Sequence, residues 1–141
     1  MVKYWIQHAY FDTEDLGEIL RDEAIRAFQN HDWATENAKF KEIERSGKEN
    51  CPPGMGFIAD GLGILHICPD EKGKALCFFH ERKRVKILGF LPWTMNYNFE
   101  LSDVPVSSIP DFIAALYEGN VDTFIRTHPN KPIQPTRHTH R

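Results

Sequence analysis

The chain has 141 residues and a mass of 16.4 kDa, which suits one domain with a single hydrophobic core. Its hydrophobic fraction of 41% and charged fraction of 26% are typical of a globular protein and argue against a disordered chain. Since 17 Lys and Arg stand against 20 Asp and Glu, the net charge is −3, and we expect no nucleic-acid partner.

Cysteine usage and the N-terminal segment both favour a cytoplasmic location. The chain has three cysteines, Cys51, Cys68 and Cys77, and no CxxC motif. An odd number of irregularly spaced cysteines fits neither a disulfide framework nor a zinc motif, so we expect free thiols. No apolar run approaches the ~18 residues of a transmembrane helix, and the first residues lack the apolar region of a signal peptide. We therefore expect no membrane partner.

The N-terminal third is predicted to form a strand and two helices. Aromatic and β-branched residues alternate loosely over residues 2–10, which predicts a strand. Asp12 then resembles a helix N-cap, and apolar residues recur at helical spacing as far as Phe28, which predicts a helix of about four to five turns. A second helix is predicted from Asp32, as N-cap, to Gly47.

The remaining chain is predicted to form a sheet and one more helix. After a Pro/Gly-rich loop the hydrophobic period changes from 3.6 to 2, which predicts strands at 57–59, 62–68, 75–81, 85–91 and 95–101. Ser108 is predicted to cap a helix that ends at Gly119. The predicted fold is a single α+β domain over 1–128, an antiparallel meander of about five to six strands with N-terminal helices and one C-terminal helix on one face. Residues 129–141 are predicted to be a flexible tail that contains Pro and His.

The predicted core consists of the in-phase apolar positions of each element. In the central hairpin, a turn at 70–73 places Leu65 opposite Phe79, and this apolar face should meet the helices. The predicted core residues are Leu16, Ile19, Leu20, Phe28, Leu65, Ile67, Phe79, Phe112 and Leu116.

The same hairpin register places His66 and His80 diagonally on the opposite face, about 7–8 Å apart at the backbone. Such a pair could serve as general acid and base or supply two metal ligands, although a catalytic metal site needs a third protein ligand. The alternative is that both are solvated sheet residues. Cys51, in the Pro/Gly-rich loop, is a further candidate as a nucleophile if a histidine lies near it, and the alternative there is a rigid connection. Neither GxGxxG nor GxxxxGK is present, so no cofactor is predicted.

Two charge clusters are candidates for partner binding or for solvation. Glu14, Glu18 and Asp22 are spaced i, i+4, i+8 on the predicted first helix. They would form an acidic stripe in which like charges repel one another, and this stripe could dock a basic partner. The alternative is an ordinary solvent-facing side of the helix. A basic cluster surrounds a predicted turn between strands, and we interpret it as a solvated edge: Arg82, Lys83, Arg84 and Lys86.

Two classes of function remain, because the sequence holds no catalytic signature. The first is a non-enzymatic protein-binding module that uses the acidic stripe and aromatic anchors, among them Trp93. The alternative is a small enzyme or metal-binding domain built around His66 and His80. A toxin-like reading frame directly upstream of the gene would favour the first class. A metal in the purified protein, or convergence of the two imidazoles in a pocket, would favour the second.

The organisation of the chain resembles that of the small cytoplasmic immunity proteins that bacteria keep against polymorphic toxins. Those proteins are single α+β domains of similar length, often acidic and without a catalytic motif. The resemblance covers organisation and matches no motif residue by residue, so it implies no site residues. It implies a toxin-neutralising function, and together with the acidic stripe it suggests a basic toxin domain as the partner.

Overall fold

The computed structural model describes residues 1–9 and 11–127. This part of the chain forms one α+β domain with a six-stranded antiparallel sheet in the order β2-β1-β3-β4-β5-β6. The strands are β1 (Val2–Gln7), β2 (Thr13–Glu18), β3 (Gly54–Ala59), β4 (Gly63–Pro69), β5 (Lys74–Ile87) and β6 (Leu91–Pro105). The helices are α1 (Arg21–Asn30), α2 (Trp33–Arg45), α3 (Ile109–Glu118) and α4 (Val121–Thr127). Within these residues, no helix has the length and apolarity that crossing a bilayer requires.

The sheet joins an N-terminal hairpin to a four-stranded meander. Strand β1 pairs antiparallel with β2 on one side and with β3 on the other. The central register is as predicted, with Leu65 opposite Phe79. The turn that sets this register is closed by Gly73 at φ 74°, and the Asp70 amide donates to the Lys74 carbonyl over 2.7 Å. The predicted meander is therefore confirmed for β3 to β6.

The helix-facing side of the central hairpin is buried, as predicted. Leu65, Ile67 and Phe79 belong to one buried cluster with residues of α1, α3 and α4. Ile64 and Phe78, on the other face of the same strands, are exposed. Since full burial of one large apolar side chain contributes about 1.5–3 kcal/mol, this face anchors the helices. The predicted core residues confirmed here are Phe28, Leu65, Ile67, Phe79, Phe112 and Leu116.

The predicted first helix is wrong in its N-terminal half. Residues Thr13–Glu18 form β2, and α1 begins only at Arg21. Pairing with β1 supplies the backbone hydrogen bonds that the first helical turn would otherwise make, and Asp12 lies in the hairpin turn, where its carbonyl accepts from the His8 amide over 2.7 Å. Local helical spacing was outweighed by this non-local pairing.

Two predicted core residues are consequently exposed. Leu16 falls at a register shift in the β1–β2 pairing and has no direct partner, and its exposed fraction is 37%. Leu20 stands just before α1 and is 70% exposed. Ile19 is partly buried and packs against the core.

The predicted strand 75–81 and the first three residues of the predicted strand 85–91 form one continuous strand, while residues 88–90 form the turn that leads into β6. Strand β5 runs through Lys74–Ile87, so the basic residues from Arg82 to Lys86 lie within a strand and do not surround a turn. Strand β4 pairs with β5 only as far as Glu81. Beyond that point β5 pairs only with β6 among the described strands, and residues 82–96 project as a two-stranded ribbon, called the ribbon below. Alternating side chains allow charged residues to remain solvated on one face of a strand, which is why a run of charges did not end β5.

The other predicted helices are confirmed with small changes. The Asp32 side chain caps α2 by accepting from the Thr35 amide over 3.1 Å. Helix α3 ends at Gly119, which is left-handed at φ 74°, but Ser108 makes no side-chain cap hydrogen bond. The predicted tail at 129–141 lies outside the described residues.

Candidate functional site

The predicted acidic stripe does not exist as one helix face. Glu14 and Glu18 lie on β2, and Asp22 lies in the first turn of α1. Glu14 pairs with Ile6, which packs against the core, whereas Glu18 pairs with Lys3 on the open face of the sheet. The two glutamates therefore point to opposite faces of the sheet, so the three carboxylates do not form the single helical stripe that the sequence predicts.

His66 and His80 lie on the same open face of the sheet, as predicted, but in separate surroundings. The His66 ring packs between Trp5 and Phe78, with centroid distances of 5.8 Å and 6.2 Å. His80 Nδ1 shares a hydrogen bond with Asn98 Oδ1. Within the described residues, no hydrogen bond joins the two imidazoles, and neither belongs to a group of three potential metal ligands.

The position of His66 depends on a row of paired residues across the sheet. Trp5 is opposite Gly56, Gly56 is opposite His66, and His66 is opposite Phe78. The Trp5 ring occupies the space that a Cβ at Gly56 would need. Gly56 therefore allows the indole to reach across β3 and to cover the His66 imidazole.

Burial of His66 gives a pH-dependent stability that can be measured. Desolvation lowers the pKa of His66 from 6.5, so the folded state favours the neutral ring. As the pH falls, the His66 ring therefore binds a proton at a higher pH in the unfolded state than in the folded state. The contribution of the neutral ring to the free energy of unfolding is fully present above about pH 6.5 and decreases as the pH falls towards the folded-state pKa. We expect H66Q to reduce this slope in urea unfolding measured from pH 7.5 to 5, while H80Q serves as the control. An NMR titration midpoint of the His66 ring at or above 6.5 would contradict the prediction.

Cys51 was a candidate nucleophile on the condition that a histidine lies near it, and its hydrogen-bond partner is a glutamine. Cys51 Sγ accepts a hydrogen bond from Gln7 Nε2 over 2.7 Å, and no histidine bonds to it in the described part of the chain. His66 Nε2 instead lies 3.7 Å from Cys68 Sγ. Burial raises the pKa of Cys68 to about 12, so this neighbour stays a thiol and is a poor nucleophile.

Trp93 lies on the ribbon, whose two faces differ sharply. Trp93 is paired with Val85, and because side chains alternate along each strand, the face that contains this pair is apolar from Val85 to the tip. The other face carries three exposed basic residues that form no ion pair with the described residues: Arg82, Arg84 and Lys86. The ribbon is therefore amphipathic.

The tip of the ribbon exposes large apolar side chains. Leu88 is 78% exposed and Phe90 is 71% exposed. Leu88 also has a left-handed backbone at φ 55°, which costs a residue with a Cβ about 1–2 kcal/mol. Leu88 and Gly89 are consecutive left-handed residues, as a type I′ hairpin turn requires, and the Phe90 amide donates to the Ile87 carbonyl over 3.4 Å, so this backbone geometry belongs to the turn. The exposure of Leu88 and Phe90 does not stabilise the fold, and exposed apolar patches are characteristic of binding surfaces.

A second cluster, which sequence reasoning missed, lies at the N-terminus of α2. It consists of His8 after β1, His31 between α1 and α2, and Glu36 in the first turn of α2. Among the described residues, this is the one group of three His, Cys, Asp or Glu side chains whose ligand atoms all lie within 4.8 Å of one another. No recognised spacing connects the three in sequence, so only the folded chain identifies them.

Hydrogen bonds and ion pairs connect this His8–His31–Glu36 cluster. His8 Nδ1 lies 2.6 Å from Glu36 Oε1, and His31 Nε2 lies 3.4 Å from the same oxygen. On the other side of its ring, His8 Nε2 lies 3.4 Å from Glu14 Oε2. The hydrogen bond to Glu36 raises the pKa of His8, against the opposing effect of burial, so the charged imidazole is favoured beside the carboxylates.

His31 is the least satisfied member of the cluster. Its ring packs on Trp33 at a centroid distance of 4.4 Å, and Trp33 is itself held by a 2.9 Å hydrogen bond from Nε1 to the Phe28 carbonyl. His31 Nε2 is buried and, although near Glu36, is not aligned for a hydrogen bond. In the described part of the chain it is the one buried side-chain nitrogen or oxygen without a hydrogen-bond partner, which is a costly arrangement.

Comparisons with known proteins supply no relative for these features. No protein-family model, no curated protein and no solved structure matches the chain. The ribbon and the His8–His31–Glu36 cluster are therefore interpreted from their own chemistry.

Proposed function

We propose that the protein is a non-enzymatic protein-binding module that inserts the tip of its ribbon into a partner protein. The observation that carries this proposal is the exposure of Leu88 and Phe90 at the end of a ribbon that projects beyond β4. The tip buries little apolar surface in the described fold, and we expect a partner protein to cover it. Trp93, named from the sequence as an anchor, lies on the apolar face of the same ribbon.

The charge of the ribbon indicates the chemistry of the partner. Arg82, Arg84 and Lys86 are exposed along one face, so we expect an apolar pocket bordered by carboxylates on the partner. Lys83 has a different role, because its Nζ lies 3.0 Å from both Glu81 and Asp122 and connects the base of the ribbon to α4. An acidic binding site thus takes the place of the basic partner expected from the sequence.

The most specific form of this proposal is neutralisation of a bacterial toxin. Its support is the resemblance in organisation to immunity proteins. The cytoplasm is the proposed compartment, since Cys51, Cys68 and Cys77 are all free thiols. If the protein neutralises a toxin, it should protect cells that express that toxin. A variant that cannot bind through the ribbon should not protect them.

The experiment identifies the partner through the tip itself. A photo-crosslinking amino acid is placed at position 90 of the full chain, and a matched one at position 20, in cells of the source organism. Leu20 is the matched control for Phe90, because it lies outside the ribbon and the two side chains are 70% and 71% exposed. We expect one protein to crosslink at position 90 and not at position 20.

Binding of that protein is then measured with two sets of variants. The double change L88N/F90N should raise Kd by about 30-fold or more, because a hot-spot residue contributes about 2 kcal/mol or more, whereas L20N should leave Kd unchanged. The triple change R82Q/R84Q/K86Q should slow association and reduce its salt dependence, while K39Q/K48Q/K72Q on other exposed sites should not.

Several outcomes would overturn the proposal. One is equal crosslinking at positions 90 and 20, and another is unchanged affinity of L88N/F90N for the captured protein. Binding of the wild type, but not of L88N/F90N, to anionic lipid vesicles or to RNA would assign the ribbon to a different class of target. Each of these results is obtained with folded protein, since the substituted side chains are exposed.

A further inference from the structure

We propose that His8, His31 and Glu36 form a binding site for one divalent transition-metal ion of the zinc class. This site is separate from the ribbon, so the proposal can be tested independently of the protein-binding function. Its donor set is two imidazole nitrogens and one carboxylate oxygen, brought together from three places in the chain. Zinc sites with two histidines and a glutamate use this set, as do iron centres with two histidines and a carboxylate.

The distance between His31 Nε2 and Glu36 Oε1 fits a shared metal ion, whereas the hydrogen bond between His8 Nδ1 and Glu36 Oε1 must be replaced by bonds to the ion. Ligand atoms bound to zinc at about 2.0–2.1 Å lie roughly 3.3 Å from one another in a tetrahedral site. His31 Nε2 and Glu36 Oε1 are already 3.4 Å apart. His8 Nδ1 and Glu36 Oε1 are 2.6 Å apart, which is a hydrogen bond that holds a proton between them. Binding of the ion would release that proton and separate the two atoms by a small rotation of the His8 ring.

Glu14 supplies the outer contact that metal-binding histidines commonly make. When His8 uses Nδ1 as the ligand atom, its other ring nitrogen carries a proton, and Glu14 Oε2 lies 3.4 Å from that nitrogen. A carboxylate in this position fixes the orientation of the ring and increases its basicity. Glu14 therefore has a local task in the cluster in place of the docking role expected from the sequence.

The electrostatics of the cluster also favour a cation. Glu36 is a buried carboxylate whose ion-pair partners, among the described residues, are His8 and His31, with no Lys or Arg. His31 Nε2 is buried and has no hydrogen-bond partner among the described residues, and coordination of a metal ion would give this nitrogen a partner. The His8 side chain is 30% exposed, which gives an ion access from solvent.

The test measures zinc binding to the full chain after treatment with a chelator. Zn²⁺ alone is added in equilibrium dialysis at pH 7.5, and Co²⁺ is added separately as a spectroscopic probe of the ligand set. We expect about one Zn²⁺ per chain, changed NMR signals for the His8 and His31 rings, and unchanged signals for His66 and His80. H31Q and E36Q should each weaken binding at least about 100-fold, and E14Q about 10-fold, as the loss of a ligand and of an outer contact predict.

Two controls separate this site from other imidazoles. H80Q removes a histidine on the open face of the sheet and should bind like the wild type. The sequence also places His128, His138 and His140 near the C-terminus, so H128Q/H138Q/H140Q is measured as well and should retain the one ion. Circular dichroism of H31Q and E36Q confirms that each variant is folded before its affinity is compared.

The proposal is overturned by three results. The first is no binding of Zn²⁺ or Co²⁺ by the wild type, which would leave a hydrogen-bonded structural cluster. The second is wild-type affinity in folded E36Q and H31Q. The third is loss of the bound ion in H128Q/H138Q/H140Q, which would assign it to the C-terminal histidines.

Discussion

Truncation of Phe79 to alanine is expected to lower the free energy of unfolding by about 3–5 kcal/mol, whereas the same change at Phe78 should lower it by less than about 1 kcal/mol. The two residues are adjacent on β5 and have the same side chain, but Phe79 is 3% exposed and Phe78 is 39% exposed. Phe79 packs in the cluster that joins the sheet to the helices, and its loss would leave a cavity there. Urea unfolding followed by circular dichroism measures both changes.

The contrast between the two variants tests which face of the sheet is covered. If F79A is too unstable to fold, F79L retains most of the volume and should cost less than about 1.5 kcal/mol, which keeps the comparison measurable. Equal losses in F79A and F78A would mean that the open face is also covered in solution. A larger loss in F78A would mean that the helices pack on the other face.

The central hairpin shows how much local sequence can predict. Its turn, closed by Gly73, has one favoured geometry, and that geometry fixes the register of β4 and β5 along their whole length. Once the register was known, alternation alone assigned Leu65 and Phe79 to one face and His66 and His80 to the other. The α+β class and the buried face followed from these local facts.

The N-terminal hairpin shows where local patterns were insufficient. The spacing over residues 13–18 predicts only a helix, but hydrogen bonds to β1 make this segment a strand. The ribbon was missed for a related reason, since a run of charges was read as a turn. Both errors concern hairpins between consecutive strands, in which the position of the turn decides which backbone groups pair.

The candidate sites were harder to predict than the fold. The diagonal relation of His66 and His80 followed from register, but the partners of each ring come from β1, β5 and β6. The His8–His31–Glu36 cluster depends on how the end of β1 approaches the start of α2, and no periodicity reports that approach. Contacts between elements distant in sequence decide these sites.

Replacement of Gly63 by alanine is expected to lower the free energy of unfolding by about 2–5 kcal/mol, from backbone strain together with overpacking. Gly63 has φ 149°, a conformation that residues with a Cβ rarely adopt. A Cβ there would also overlap the carbonyl oxygen of His80 on the paired strand, and backbone atoms cannot move aside as a flexible side chain can. Gly61, in the same turn, has φ 76° and no atom near its Cβ position, so G61A should cost only about 1–2 kcal/mol.

The position of Gly63 also connects this strain to the ribbon. Gly63 pairs with Glu81 at the end of the β4–β5 ladder, and the next residue, Arg82, donates its amide to the Leu62 carbonyl over 3.2 Å. The ribbon begins where this support ends. In G63A, hydrogen exchange of the Arg82 amide should therefore accelerate more than that of amides in α3, because the clash opens the base of the ribbon first. Uniform acceleration across the chain, or a loss of stability equal to that of G61A, would show that His80 and its strand move aside and that the ribbon does not depend on this glycine.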